Sequence, residues 1–136
     1  MEQIKENIHF RAYTEEDFES IHKLNIQEEW NNLVTKKEET KNAWSNSNVA
    51  FVACANDKVI GSIRGITDGY ISLFVCEVII DQNYRGLGIG TDLLKYVHNC
   101  FPKTRMELLT SSSSSTYYEN QSFRGFYGFR KTLEEW

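Results

Sequence analysis

One proline, three cysteines and three histidines are all that this chain of 136 residues holds of the types that staple, coordinate or stiffen a fold. The cysteines, Cys54, Cys76 and Cys100, are odd in number and sit among apolar neighbours, which predicts buried free thiols rather than a disulfide framework. No His and Cys cluster has zinc spacing, so no metal is expected. His22 and His98 fall in predicted helices and His9 in a strand, where each reads as a surface or satisfied side chain. No apolar run is long enough to span a membrane, no cleavable signal opens the chain at Met1-Glu2-Gln3-Ile4-Lys5, and no repeat recurs. A cytoplasmic location is the expectation. Positive charge is also short: 15 Lys and Arg face 19 Asp and Glu, a net charge of −4, and duplex binding wants a basic patch or stripe. Nucleic acid is therefore not an expected partner, nor is a membrane. The length suffices for one domain, residues 1–136, with room for a core but not for a second domain.

What the chain does have is a glycine cluster in a telling place. Ile71 to Ile80 is nearly unbroken in apolar and β-branched residues and reads as a strand buried on both faces. Arg85-Gly86-Leu87-Gly88-Ile89-Gly90 follows, and then Ile89, Leu93, Leu94 and Val97 mark one face of a helix that Pro102 closes. Glycines let the backbone approach a ligand, and the amides that open a helix lack internal partners, so this junction predicts an anion site suited to phosphate. Two familiar motifs fail. A dinucleotide fingerprint needs G-x-G-x-x-G, but Thr91 stands where the third glycine belongs. A P-loop needs Gly-Lys-Ser/Thr, and Gly90 is followed by Thr91 and Asp92. A bare glycine-rich turn between strand and helix is the structural alternative.

The remaining elements are legible from pattern. A strand is predicted at Ile8 to Tyr13, a helix at Glu15 to Gln27 started by Thr14 and Asp17, and a second helix at Lys36 to Trp44. Strands follow at Val49 to Ala55 and Val59 to Ile66, the latter joined to Ile71–Ile80 through Thr67-Asp68-Gly69-Tyr70, where Asp-Gly signals a hairpin. After the glycine loop come the helix to Phe101, a strand at Arg105 to Thr110, a short helix near Ser115 to Asn120 and a final strand pair near Phe123 to Leu133. The sum is a mixed α+β sandwich.

Arg85-x-x-Gly88-x-Gly90 at a strand-to-helix junction resembles the acetyl-coenzyme A motif, Q/R-x-x-G-x-G/A, of the GCN5-related N-acetyltransferases (GNAT). Tyr117-Tyr118-Glu119-Asn120-Gln121-Ser122-Phe123 is similar to that family's F-Y-E-K-x-G-F segment, except that Ser122 stands in the glycine place. An L-residue in a left-handed turn costs roughly 1 kcal/mol, so a differently shaped turn is the expectation there. The resemblance covers roughly Val49 to Leu133 and implies the family's single-domain α+β fold, a central mixed, mostly antiparallel sheet flanked by helices.

The resemblance implies acetyl transfer from acetyl-coenzyme A to a primary amine, with a small molecule as the expected acceptor and no metal. Pantetheine would lie along Val78, Ile79 and Ile80, with the Val78 or Ile79 amide supporting the oxyanion. Arg85, Gly86, Leu87, Gly88, Ile89, Gly90 and Thr91 would hold the pyrophosphate. Tyr118 is the implied acid, since a phenol with pKa about 10 is protonated at neutral pH. Glu77, which interrupts an apolar strand, is the candidate base, directly or through water; a structural ion pair is the competing account. With Asp68-Gly69 as a two-residue turn, Ile60 faces Glu77 and Arg64 lies about 13 Å along the sheet, which leaves Lys58 as the available partner. Glu28, Glu29, Trp30, Tyr70 and Phe126 are candidate acceptor-lining residues, with Trp30 and Phe126 read foremost as core. Modification of a protein lysine or terminal amine, and non-catalytic acyl-coenzyme A sensing, are the alternatives. Glu134-Glu135-Trp136 leaves a homodimer open.

Overall fold

The computed structural model describes residues 7–111 and 113–136. Its sheet has five strands in sequence order: β1 (Ile8–Ala12), β2 (Val49–Ala55), β3 (Lys58–Thr67), β4 (Ser72–Ile80) and β5 (Arg105–Leu108). The first four pair antiparallel, whereas β5 joins β4 in parallel, as a strand returning from a helical crossover must. Five helices flank it: α1 (Phe18–Gln27), α2 (Asn31–Thr35), α3 (Lys37–Ser45), α4 (Ile89–Cys100) and α5 (Ser115–Asn120).

Alternation along the strands sorts the core onto two faces. On one, Val52, Cys54 and Ile79 meet Phe18, Ile21 and Leu24 of α1 and Trp44 of α3. On the other, Val49, Ile63, Leu73 and Val75 meet Leu93, Leu94 and Val97, the stripe that the sequence of α4 displays. Thr14 starts the first helical segment as expected: its N–H donates to Asp17 Oδ2 at 2.8 Å, and Arg11 clamps the same carboxylate through two bonds of 2.8 Å.

Three expectations need correction. The β3–β4 connection is not a two-residue Asp-Gly turn. Asp68 Oδ1 accepts from the amides of Tyr70, Ile71 and Ser72 at 2.8, 2.8 and 3.1 Å, which winds a longer loop around one carboxylate. Together with an extra residue in β4, this places Arg64 directly opposite Glu77. The final strand pair near Phe123 to Leu133 is also absent among the described residues; the chain there has no ladder and ends in a 3-10 turn, Leu133–Glu135. Of the thiols, all free, only Cys54 is buried; Cys76 is partly covered and Cys100 exposed.

Candidate active site

The site begins where two neighbouring strands part. β4 and β5 pair from Ser72↔Arg105 to Val75↔Leu108, and β4 then runs on to Ile80 without its neighbour. Which backbone groups face that opening follows from the ladder. Asp81 N–H donates to Ile60 O at 2.7 Å, so this is a hydrogen-bonded pair, as are Ile79↔Ser62 and Glu77↔Arg64 at the same register. The amides of Glu77 and Ile79 therefore point at β3, and those of Val78 and Ile80 point away from it, into the opening. Of the two expected oxyanion donors, only Val78 faces that way.

Below the opening the chain turns through Gln82–Tyr84, capped by Asp81, whose side chain accepts from Asn83 N–H at 2.8 Å. Gly86 and Gly88 both take φ of 80°, the left-handed region that an L-residue enters at a cost. Gly88 is the N-cap of α4, and Asp92 N–H makes the first helical bond to its carbonyl at 3.0 Å. The amides of Ile89, Gly90 and Thr91 thus stand ahead of the helical ladder, on the positive end of the helix dipole. Arg85 folds back from this loop: its Nε donates to Ile80 O at 2.9 Å and its Nη2 bonds Glu28 at the end of α1. That bond to Glu28 was not foreseen, and it draws Glu28, expected in the acceptor wall, to the loop instead.

α5 docks on the same helix end. Tyr117 Oη and Thr91 Oγ1 share a hydrogen bond of 2.9 Å, and a Cβ at Gly90 would meet Tyr117 Oη at 3.3 Å. Tyr118 packs against the α4-side core and meets Tyr117 and Phe123 edge-on at 5.0 and 5.5 Å. Burial, with a smaller push from Tyr117, raises the Tyr118 pKa above the ordinary phenol value, so the group is protonated at neutral pH. It also lines a groove of about 1270 Å³ between β5 and the segment after α5.

Glu77 lies on the opposite face of β4 from Val78. Arg64 grips it with Nε to Oε1 at 2.9 Å and Nη2 to Oε2 at 2.5 Å, the two side chains being 15 and 18% exposed. Arg64 Nη1 also donates to Ser47 Oγ at 3.1 Å, which itself donates to Ala43 O at 2.7 Å, tying the pair to the end of α3. The ion pair expected only as a competing account is present, with Arg64 and not Lys58 as partner. Trp30 packs partly buried against the α1-side core, whereas Phe126, also read foremost as core, is exposed, as is Tyr70. No group of three or more His, Cys, Asp or Glu side chains that could hold a metal occurs among the described residues. Among them, no helix is long and apolar enough to cross a membrane.

The parted strands, the glycine loop and the helix that it caps thus form one continuous site. Residues 46–127 match the acetyltransferase (GNAT) domain family, and the chain belongs to that family. A GNAT-family acetyltransferase from Streptococcus pneumoniae TIGR4 is 24% identical, with 92% of this chain covering 98% of that one at a TM-score of 0.69. A GNAT-family protein from Xanthomonas campestris pv. campestris is 19% identical over 92% of this chain and 93% of its own, with a TM-score of 0.75. An aminoglycoside acetyltransferase from an uncultured soil metagenomic sample, solved with sisomicin, is 14% identical over 96 and 99% at 0.69. At these identities the likeness speaks for the fold alone. The family implies use of acetyl-coenzyme A.

Proposed function

We propose that this protein transfers the acetyl group of acetyl-coenzyme A to a primary amine, that of a small molecule, by direct attack of the amine on the thioester. The observation that carries the reading is continuity: the outward amides of Val78 and Ile80 lead straight into a positive-φ glycine loop and the open amides of α4. An extended pantetheine arm pairs with the first as an added strand would, and a pyrophosphate suits the second.

In this reading the carbonyl carbon gains a bond to the amine nitrogen and its oxygen takes up the electron pair, which the Val78 amide stabilises. Collapse expels the thiolate of coenzyme A, and Tyr118 supplies its proton. The amine's own proton leaves to Glu77, directly or through water. Arg64 occupies one lone-pair site on each Glu77 oxygen, and a carboxylate offers about four such sites, so room to accept a further proton remains.

Calorimetric titration with acetyl-coenzyme A, run on the wild type and on Gly88→Trp, tests the first half. Binding should be present in the former and lost in the latter, because an indole side chain at φ 80° both strains and fills the cap. Free-thiol release over a panel of amines then tests transfer. A folded wild type that fails to bind the thioester would overturn the assignment.

A further inference from the structure

Arg85 reaches back into the opening beside β4. A residue in a non-hydrogen-bonded pair turns both of its backbone groups away from the neighbouring strand. Ile80 faces Gly61 in such a pair, so its carbonyl, like its amide, points away from β3. Arg85 Nε donates to that carbonyl at 2.9 Å. The guanidinium therefore closes the lower end of the opening, between the last residue of β4 and the positive-φ glycines. Glu28 holds it there. Arg85 Nη2 bonds this carboxylate, and the two side chains are 44 and 29% exposed. The carboxylate is itself well fixed, because α1 ends in a turn where Glu29 takes φ of 62°, Glu29 N–H donates to Ile26 O at 3.1 Å and Trp30 N–H to Asn25 O at 3.0 Å. Gln82 N–H also donates to Gln27 Oε1 at 3.2 Å, which ties the same helix end to the chain below β4. As the C-cap of α1, Glu28 lies at the negative end of the helix dipole, where a cationic partner is favoured.

We propose, building on the acetyl-coenzyme A reading, that Arg85 and Glu28 form a gate that makes entry of the thioester arm conditional on phosphate, and so set the specificity for the acyl donor. An arm that pairs along β4 needs the outward carbonyl of Ile80 and the space beside it, and Arg85 takes both. Arg85 also belongs to the glycine loop. Turning toward that loop, it exchanges Glu28 for a pyrophosphate, whose two negative charges outweigh the single one of the carboxylate. Arg85 then leaves Ile80 and Glu28 in one movement, and the lane along β4 opens. A pantetheine thioester without phosphate has nothing to draw Arg85 away and meets a closed lane.

Heteronuclear NMR titrations with acetyl-coenzyme A and with S-acetylpantetheine, which lacks every phosphate, test the gate without turnover. The wild type should bind the first, and the second only weakly. In Arg85→Ala the lane stands open, so S-acetylpantetheine should bind about tenfold more tightly, while acetyl-coenzyme A, deprived of a phosphate contact, should bind less tightly. Glu28→Gln should strengthen binding of both, since Arg85 then parts from a neutral amide. Both side chains reach solvent, so neither substitution empties the core. The Arg85 Nε–H resonance gives a direct readout and should shift on adding acetyl-coenzyme A, as the bond to Ile80 is given up. Three results would overturn the gate and leave the acetyltransferase reading standing: S-acetylpantetheine binding Arg85→Ala no better than the wild type, Glu28→Gln weakening the coenzyme, or an Arg85 Nε–H that stays unshifted at saturating coenzyme. A folded wild type that binds neither thioester would overturn both.

Discussion

Replacing Ser122 by glycine should stabilise the protein, and the reason can be worked out bond by bond. Helix α5 ends in a Schellman turn: Phe123 N–H donates to Tyr118 O at 3.1 Å, Ser122 N–H to Glu119 O at 3.0 Å, and Ser122 takes φ of 68°. The turn expected to be reshaped by serine instead keeps the left-handed form. An L-residue there costs about 1–2 kcal/mol, and glycine gives back about 0.4–1 kcal/mol through the freedom it adds to the unfolded chain. The net gain is about 0.5–1 kcal/mol. For a chain of this size the unfolding entropy is about 0.3 kcal/mol/K, so Tm should rise by about 2–4 °C. Ser122→Val should move the other way by about 1–2 kcal/mol, since a β-branched side chain tolerates positive φ least. The hydrophobic contact that accompanies this turn is Phe123 on the Tyr118 ring, so the valine variant should also lower kcat more than it raises KM for acetyl-coenzyme A. Paired thermal and chemical denaturation checks the stability arm. If glycine left Tm unchanged and valine cost nothing, the turn would not be under the strain argued here.

Three further outcomes are expected. Tyr118→Phe should reduce amine-dependent thiol release by about 10²–10⁴-fold while calorimetric affinity for acetyl-coenzyme A holds; equal turnover would remove Tyr118 as the acid. Arg64→Met should cost about 3–5 kcal/mol by stranding a largely buried carboxylate, and Arg64→Met combined with Glu77→Leu should recover most of that in urea titration. If the pair serves structure alone, the double variant recovers activity as well; if Glu77 takes the proton, activity stays low and only stability returns. Asp17→Asn should cost about 1.5–3 kcal/mol at neutral pH, because Arg11 and the Thr14 amide hold that carboxylate ionised and its pKa below the ordinary value. A lowered folded pKa stabilises above the unfolded value of about 3.9 and loses that effect as pH falls through the folded one. The variant should therefore flatten the acid side of the stability profile, and an unaltered slope below pH ~4 would exclude Asp17 as its source.

Local pattern carried much of the fold. The predicted bounds of β2 and α5 coincide with those observed, and α4, expected from about Gly88 to Phe101, is one residue shorter at each end, because hydrophobic period and turn residues set these elements within a few neighbours. What stayed hidden depends on contacts between distant residues. Nothing in the order of Thr67-Asp68-Gly69-Tyr70 states that Asp68 will gather three amides, and an Asp-Gly pair normally reads as a shorter turn. The signal that was available is Arg64 itself: a second charged residue in an apolar strand next to one holding Glu77 invites a pairing that a longer loop permits. The segment from Phe123 to Leu133 was misread for another reason: Phe126, Tyr127 and Phe129 give it the composition of a strand, but composition does not supply the neighbouring edge that a ladder needs.

Register also decides the chemistry. Asp68 N–H donates to Ser72 O at 3.3 Å, so at the turn end of the hairpin the hydrogen-bonded pairs sum to one register, in which Val78 would oppose Ser62 and direct its amide into β3. Cys76 is the extra residue that breaks this: β3 passes from Gly65↔Val75 to Arg64↔Glu77 across it, and every pair beyond is shifted by one. Because strand geometry has a period of two, that shift turns the Val78 amide outward to the opening and at the same step sets Glu77 against Arg64. The outward donor and the clamped carboxylate are thus two results of one bulge. An account that kept Val78 as the oxyanion support while freeing Glu77 from Arg64 would require two incompatible registers in the same pair of strands.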